Sequence, residues 1–450
     1  MKVDVMILGA GPAGLAAAAA LAEAGRDCLV VDPADRVGGS IRTTVEDGWI
    51  VETGPNTLQL EQAADHELLC SYGLSDDIRE ARTESANRFI LSRGRLHALR
   101  PSPLSLLTSG LLSPLGRLRL LAEPFIPRGG HAGETVAAFA TRRFGREASA
   151  RLMDPVVSGV HAGDPDRLDM AACFPSVHRL EAECGSVILG LIRRRGHARR
   201  VVGFRLGMQQ LADAMRERAG RGAEFRLGWR AERLKKEGAG WSAVIRRSAD
   251  GAEEPVVCDK VIVTTPPWKW KDGPFDAPLA ERLSPWSRCE APPVTVVARG
   301  YDLGRIRHPL DGFGYLTPGE EGRRVLGCLF PSSVIPGRAP EGKALLCCFL
   351  GGARQPAVAR RDDDELRGVV DRELSETLGA SGPPEREWIQ RWEQAIPQYD
   401  HDQRRREACL AALEREEPGI RFHGAFRGGI SLMHAVRGGD ALGRALARED

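Results

Sequence analysis

Residues 3–15, Val3-Asp4-Val5-Met6-Ile7-Leu8-Gly9-Ala10-Gly11-Pro12-Ala13-Gly14-Leu15, decide the fold of this chain. An apolar run enters a glycine turn and leaves it as an alanine-rich stretch reaching Glu23. A second apolar run, Cys28-Leu29-Val30-Val31, ends on Asp32, and Arg36-Val37-Gly38-Gly39-Ser40 follows at once. The order is strand, glycine turn, helix, strand, acid: the βαβ unit that cradles a dinucleotide pyrophosphate. In that unit Gly9 permits the tight turn, Gly11 lets backbone amides approach the phosphates, and Gly14 lets helix and strand pack closely. The helix N-terminus adds positive potential where the phosphates sit. Asp32 stands where a carboxylate accepts a ribose hydroxyl, and Ala10, Pro12 and Ala13 complete the phosphate turn. A lone GxGxxG is weak, because glycines also mark ordinary turns. Here it coincides with both strands, the helix, the acid and a glycine doublet.

The doublet decides between cofactors. Arg36-x-Gly38-Gly39 followed by Ile41-Arg42-Thr43 is the pattern of FAD proteins of the glutathione-reductase type, and NAD dehydrogenases do not need it. FAD is the expected cofactor, with Arg36, Gly38, Gly39 and Ser40 added to its binding residues. The expected fold class is α/β: an FAD-binding Rossmann-like domain with an inserted mixed-sheet substrate domain and a helical subdomain.

At 450 residues the chain exceeds one ordinary core and should divide into two or three domains. Its 42% hydrophobic and 28% charged residues describe a soluble globular protein, and a net charge of +2 gives no reason to expect nucleic acid as a partner. The ten cysteines are scattered, with no CxxC and no clustered ligand set. No metal or iron–sulfur site is therefore expected, and free thiols in a reducing cytoplasm are. No secretory leader is expected either, since the first strand begins at residue 2 or 3. No apolar run approaches the roughly 18–20 residues of a spanning helix.

Beyond the cradle, Trp49-Ile50-Val51-Glu52 reads as a short strand that runs into the loop Thr53-Gly54-Pro55-Asn56-Thr57, and residues 61–73 read as a helix. Asn87–Leu91 and Arg95–Leu99 flank Ser92-Arg93-Gly94 as a hairpin would. A leucine-rich stretch from Pro101 to Pro127 comes next, then helical patterns over 134–153 and 184–195, and the basic cluster Arg193–Arg195 with Arg199-Arg200. Nucleotide-domain character returns after 200. Phe225–Gly228 is a strand that 229–234 continues, and a meander ends in Asp259-x-Val261-Ile262-x-Thr264-x-Pro266. Short apolar runs over 293–353 suggest a sheet over a ligand, and a last helix starts near Val436. The expected division is a discontinuous FAD-binding domain (1–82, 201–283 and 400–450), a helical insertion over 83–200 facing substrate or membrane, and a substrate-binding sheet domain over 284–399.

Six further stretches, in order, carry a resemblance over the whole chain. They are 154–175 (Asp-Pro-Val-Val-Ser-Gly-Val-His-Ala-Gly-Asp-Pro-Asp-Arg-Leu-Asp-Met-Ala-Ala-Cys-Phe-Pro), Ser186–Gly190, Gly312–Pro318, Val325–Gly327, Gly351-Gly352 and Ile396–Tyr399. Together they resemble the flavin-dependent porphyrinogen oxidases. The resemblance implies aerobic, six-electron dehydrogenation of a porphyrinogen to a porphyrin late in haem synthesis, with FAD as hydride acceptor and dioxygen reduced to hydrogen peroxide. A flavin carries the hard step, so no acid–base dyad or nucleophile need be visible, and a bulky tetrapyrrole needs a large, mostly apolar pocket.

Carried over by that resemblance, Arg88 pairs with a substrate propionate, as a guanidinium fork suits a carboxylate. With 56 arginines in the chain, the surface is otherwise the default place for one. Leu168, Phe174, Phe313, Gly314 and Phe349 match positions lining the macrocycle; without the resemblance each reads as plain core. Gly54, Pro55, Asn56, Thr57, Ala231, Trp392, Ile430, Ser431 and Leu432 fall where the family touches FAD. The chain departs from the family pattern at Arg427, where an aromatic is common, and at His434-Ala435, where Asp-Cys is usual. It departs again at Leu206-Gly207-Met208 for Gly-Gly-Met, at Ala231 for valine, and at Asp32 for glutamate.

Two questions stay open at this level. The leucine-rich 101–127 stretch, with Arg117 and Arg119, either rests on a membrane surface or packs on the substrate domain. A membrane face and a second copy of the chain are open as partners, the first making the protein peripheral on the inner side of the cell membrane. Protoporphyrinogen and coproporphyrinogen III are open as substrates, and a degenerate flavoprotein that binds porphyrin without turnover is the reading from another class.

Overall fold

The computed structural model describes residues 1–100, 105, 108–131, 133–193 and 200–449. In chain order the strands are β1 Lys2–Leu8, β2 Cys28–Asp32, β3 Thr43–Glu46, β4 Trp49–Glu52, β5 Leu58–Leu60, β6 Ile78–Glu80, β7 Asn87–Ser92, β8 Arg95–Leu99, β9 Arg200–Phe204 and β10 Ala223–Leu227. They continue as β11 Trp229–Glu237, β12 Gly240–Arg247, β13 Glu253–Val263, β14 Val294–Asp302, β15 Gly312–Leu316, β16 Val325–Leu329, β17 Lys343–Gly351, β18 Arg386–Trp392 and β19 Ile420–Phe422.

The first sheet has the order β10-β2-β1-β13-β12-β11, with β19 added on β13. β1 pairs in parallel with both β2 and β13. Both its faces are covered, which is why Val5-Met6-Ile7-Leu8 is apolar throughout rather than alternating. The cradle helix Pro12–Glu23 carries the chain from β1 to β2, with Pro12 in its first turn, where a missing N–H costs nothing. The segment 229–234 does not continue the strand before it, as its sequence suggested. Gly228, at φ +76°, turns the chain, so β10 pairs with β2 while β11 pairs with β12. The closing helix Leu432–Arg448 starts earlier than Val436, because the Ser431 hydroxyl caps it by accepting from the His434 amide. It lies on the cradle helix through glycines: a Cβ at Gly439 would sit 2.2 Å from the Ala13 carbonyl oxygen, and one at Gly443 2.6 Å from that of Ala17.

The second sheet has the order β18-β14-β17-β16-β15-β7-β8. Residues 87–99 therefore belong to it and not to the helical insertion in which the sequence placed them. β7 pairs in parallel with β15, Phe89 opposite Tyr315 and Ile90 opposite Leu316. The hairpin itself is as expected, turning through Arg93 and Gly94 at φ 52° and 71°, the positive values a tight two-residue connection requires. The outer face of the sheet is sealed by the helix Asp363–Leu378, whose Leu366, Val370, Leu374 and Leu378 are buried with Val297, Tyr315, Leu346 and Leu350. The inner face turns toward the first domain and meets Trp49 and Val51 of β4 through Ala298, Leu345 and Cys347.

A helical unit completes the chain. Its core joins Val136, Phe139, Val157, Leu168 and Met170, and the helix Asp154–His161 enters it after a widened π-turn at Ser149–Met153. The described part of the leucine-rich stretch includes the helix Pro114–Leu121; Leu104, Leu106 and Leu107 lie outside the described residues, as do Arg194, Arg195 and Arg199 of the basic cluster. Among the described residues no helix is long and apolar enough to cross a membrane.

Candidate active site

The cradle is held by sterics. Gly9 has φ +111°, and a Cβ there would lie 2.6 Å from Thr264 Oγ1, the hydroxyl that donates to the carbonyls of Leu8 and Gly9. A Cβ on Gly14 would lie 2.0 Å from the Gly9 carbonyl oxygen. At Gly11 the situation is reversed: the nearest atom to an added Cβ is 4.0 Å away, so the chain faces open space beside the helix N-terminus. That open, donor-rich end is where a pyrophosphate fits.

Asp32, at the end of β2, accepts from the amides of Ala10 at 2.7 Å and Ala34 at 2.8 Å. Burial pushes its carboxyl above the usual range while those two amides hold it back. The doublet loop closes over the cradle: Gly38 donates its amide to the Ala10 carbonyl, and Arg36 donates to the carbonyls of Gly39 and Ile41. Ser40 is exposed at the tip, and its carbonyl oxygen would be 1.9 Å from a Cβ on Gly54, so the loop 54–57 lies against the doublet. Thr53 Oγ1 and Asn56 Oδ1 are buried there with no hydrogen-bond partner among the described residues. Open backbone at Gly11 and two orphaned oxygens in the facing loop are what a bound dinucleotide would satisfy, so the residues present fit FAD.

The remaining expected cofactor residues surround this loop unequally. Trp392 reaches it from β18 and donates its indole N–H to the Thr53 carbonyl at 2.8 Å. Pro55, Thr57, Ile430 and Leu432 are half-buried, Ser431 is the cap already described, and Ala231 follows the Gly228 turn, whose amide is tied to the Ala34 carbonyl. The loop before Ile430 is pinned by buried side chains: Tyr399 donates to the Ala425 carbonyl and accepts from the Gly429 amide, and Gln403 donates to the Phe426 carbonyl. Of the departures, Arg427 is turned to Glu414 and the Phe422 carbonyl, and His434 Nε2 lies 3.1 Å from the Arg427 carbonyl.

Sequence reading missed a buried ion pair beside the same loop. Glu52, the last residue of β4, accepts from Thr43 Oγ1 and from the Met208 amide, each at 2.7 Å, and faces Arg338 at 3.5 Å. Both side chains are 1% exposed. Burial pushes the Glu52 carboxyl up to about 7, with Arg338 opposing the shift. The apolar surroundings of residue 52 gave no sign of a partner far along the chain.

The candidate substrate side is the inner face of the second sheet. Strand register places Phe349, Gly327 and Leu316 in one row, and Cys347, Leu329 and Gly314 in the next. Large and small residues alternate across the strands, leaving notches at the glycines. Phe349, Leu316 and Leu329 are only half-buried, although the other face of these strands is sealed. The helix Asp154–His161 stands over this face: a Cβ on Gly159 would be 2.3 Å from Leu316, and neighbouring Val160 is 50% exposed. Leu316 and Leu329 join the candidate wall, and only strand register could have found them.

The other expected substrate residues divide. Arg88 and Phe313 come together, the guanidinium lying 4.0 Å from the ring centroid. The Arg88 Nη1 donates only to nearby backbone carbonyls, and the side chain makes no ion pair among the described residues. Gly314 sits in the inner rows at φ +144°. Leu168 and Phe174 are placed elsewhere, in the packing of the helical unit: Leu168 is 1% exposed, and Phe174 meets the His161 ring edge-on at 5.5 Å.

Comparison with known proteins bears on this arrangement. The model of the family described as flavin containing amine oxidoreductase matches residues 12–436. The chain is 31% identical to the mitochondrial protoporphyrinogen oxidase of Nicotiana tabacum, over 97% of this chain and 93% of that one. It is 25% identical to coproporphyrinogen III oxidase of Bacillus subtilis, over 98% and 97% of the two chains. A crystal structure of an Exiguobacterium protein superposes with a TM-score of 0.82 at 20% identity, covering 100% of this chain and 99% of that one, and so shares the fold. The matched span opens at Pro12, within the cradle turn, and takes in Asp32 and the facing loop with its unsatisfied oxygens. The chain belongs to the flavin containing amine oxidoreductase family, with FAD as its cofactor.

Proposed function

We propose that this protein oxidises protoporphyrinogen IX to protoporphyrin IX in haem biosynthesis, a six-electron reaction with dioxygen as acceptor and hydrogen peroxide as product. The observation that carries the reading is the inner wall: Phe349, Leu316 and Leu329 with glycine notches between them, and at its edge an arginine stacked on Phe313 without a carboxylate of its own. A flat-faced, largely apolar macrocycle lies against the wall, and a propionate completes Arg88. FAD, when bound, supplies the two-electron acceptor chemistry that the side chains lack. The protein's own part is to hold the macrocycle against the wall, exclude water and anchor a carboxylate. The higher identity to a protoporphyrinogen oxidase than to a coproporphyrinogen III oxidase supports the first substrate over the second.

The test is anaerobic mixing of the holoenzyme with protoporphyrinogen while the flavin absorbance is followed, then admission of air. Bleaching and recovery are expected. A flavin left unchanged by either porphyrinogen overturns the reading, and faster bleaching by coproporphyrinogen III transfers it to the alternative substrate.

A membrane-surface role is part of the proposal. Leu115, Leu118, Leu121 and Phe125 are 78, 64, 55 and 87% exposed, an apolar stripe at helical spacing. Leu191 and Ile192 are exposed on the helix Val187–Arg193, whose first amides are held by Glu123 beside that stripe. Flotation with anionic liposomes is expected to carry the protein; recovery wholly in the soluble fraction removes this part.

A further inference from the structure

The second domain holds two successive residues at the end of β4, Glu52 by its carboxylate and Thr53 by its carbonyl. Trp392 of β18 holds the Thr53 carbonyl, and Arg338, in the segment leading to β17, lies against the Glu52 carboxylate. Both contacts fall where β4 gives way to the cofactor loop. The groups facing Glu52 from the elements packed on it are the Thr43 hydroxyl of β3, the Met208 amide before the helix Gln209–Ala219, the Arg338 guanidinium and the buried Cys347 thiol of β17. Arg338 Nη1 and Nη2 have no hydrogen-bond partner among the described residues. Packing alone would join these segments at less cost, since a buried pair loses its hydration and removal of either partner strands the other.

We propose that Glu52 and Arg338 are a positioning pair: through them the second domain holds the loop Thr53–Thr57 in its cofactor-binding shape, so that flavin affinity depends on charges outside the phosphate cradle. The proposal rests on FAD being the cofactor. The loop is also held by one indole hydrogen bond, the Thr53 amide on the Arg42 carbonyl, the Asn56 side-chain amide on the Gly54 carbonyl and the close approach of Gly54 to Ser40. The Ile50 amide on the Arg338 carbonyl ties β4 to the segment of Arg338 through backbone. A shift of β4 at residue 52 moves the orphaned oxygens of Thr53 and Asn56 directly.

The partners are chemically unequal. A guanidinium stays charged at any working pH, whereas a carboxyl in the interior takes up a proton instead. E52Q leaves a buried cation facing a neutral amide, with no anion opposite it. R338M leaves a carboxyl that becomes neutral, and its folded-state acidity falls further once the cation is gone. In the wild type the pair is fully formed above about 7 and weakens as pH falls through that value, because Glu52 is then protonated. In R338M the loop is comfortable at low pH and disturbed only as rising pH forces Glu52 to ionise.

The experiment removes flavin from the purified holoenzyme and titrates FAD back, reading Kd from flavin fluorescence at pH 6 and pH 8. The wild type is expected to bind more weakly at pH 6 and R338M more weakly at pH 8, each by roughly threefold or more. E52Q is expected to bind at least roughly tenfold more weakly than the wild type at pH 8, and E52Q/R338M to recover most of that loss with no pH trend. A trend of the same sign in wild type and R338M, or a Kd for R338M equal to that of the wild type at both values, overturns the proposal. Should E52Q fail to fold, R338M and the double variant still decide it. A wild type that takes up no FAD at either pH is a different result, one that strikes the cofactor assignment itself.

Discussion

The two faces of the second sheet are built from the same strands and differ in what lies over them. On the outer face Tyr315, Cys328, Leu346, Cys348 and Leu350 are sealed under the helix Asp363–Leu378. On the inner face their neighbours Leu316, Leu329 and Phe349 stay half-covered, with Gly327 and Gly314 between them. A strand sends alternate side chains to opposite faces, so each residue of β15, β16 and β17 serves either packing or binding. The difference teaches where to expect loss of stability and where loss of turnover.

The largest effect should come from the sealed face. Leu374→Ala removes a side chain 1% exposed and should cost roughly 2–5 kcal/mol of unfolding free energy in denaturant titration. KM should stay within about twofold, since no contact to substrate is lost; a large rise in KM would erase the division between faces. Next comes the edge of the open face. On the proposed function Arg88→Ala removes one charged hydrogen bond to a propionate, worth about 1.5–3 kcal/mol, and should raise KM by roughly 10–100-fold while part of kcat survives. Unchanged KM for both porphyrinogens would remove Arg88 from the site.

The same contrast appears on the helix Asp154–His161, where Val157 and His161 are buried while Gly159 lies on Leu316 and Val160 is exposed. Burial lowers the His161 imidazole to about 4, so the folded protein keeps it neutral where the unfolded chain would protonate it near 6.5. Its contribution is complete above the unfolded value and is lost as pH falls toward 4; at pH 5 the loss is on the order of 2 kcal/mol. H161F should therefore show a smaller drop in Tm between pH 7 and 5 than the wild type. A residual drop is expected from His423, which burial also lowers to about 4. Equal drops in the two proteins would show that His161 is not buried as described. The smallest effect belongs to the open wall. Phe349→Leu should cost less than about 1.5 kcal/mol in stability yet alter KM, and a stability loss matching Leu374→Ala would mean the wall is ordinary core.

The cradle was legible because its parts are contiguous: the turn Gly9–Gly14, the helix after it and Asp32 at the next strand end are all dictated locally. The cofactor was legible for the same reason, from the doublet Gly38-Gly39. The candidate wall was legible only in part: Phe349 and Gly314 came through the resemblance, Leu316 and Leu329 did not. Phe349 meets Leu316 across Gly327 only when three strands are in register, and no property of Leu316 or Leu329 alone distinguishes an inner from an outer position. Leu168 is the converse case: a motif pointed to substrate, and the structure packs the side chain, 1% exposed, with Val136, Phe139 and Val157 of the helical unit. Glu52 and Arg338 were invisible because charge pairing across domains leaves no periodicity, and the hairpin 87–99 was misplaced because its parallel partner β15 comes much later in the chain.

The glycine-mediated seat of the closing helix on the cradle helix has a consequence for how the molecule is made. Arg26, just past the cradle helix, donates to the Ala447 carbonyl, 421 positions further along the chain. During synthesis the alanine-rich helix emerges early and waits, its apolar surface bare, for a partner translated about four hundred residues later. Long-range closure of this kind folds slowly and leaves unfinished chains prone to sticking. Capture of the nucleotide thus waits for the closing helix, and translation interrupted before it should yield colourless, chaperone-bound fragments.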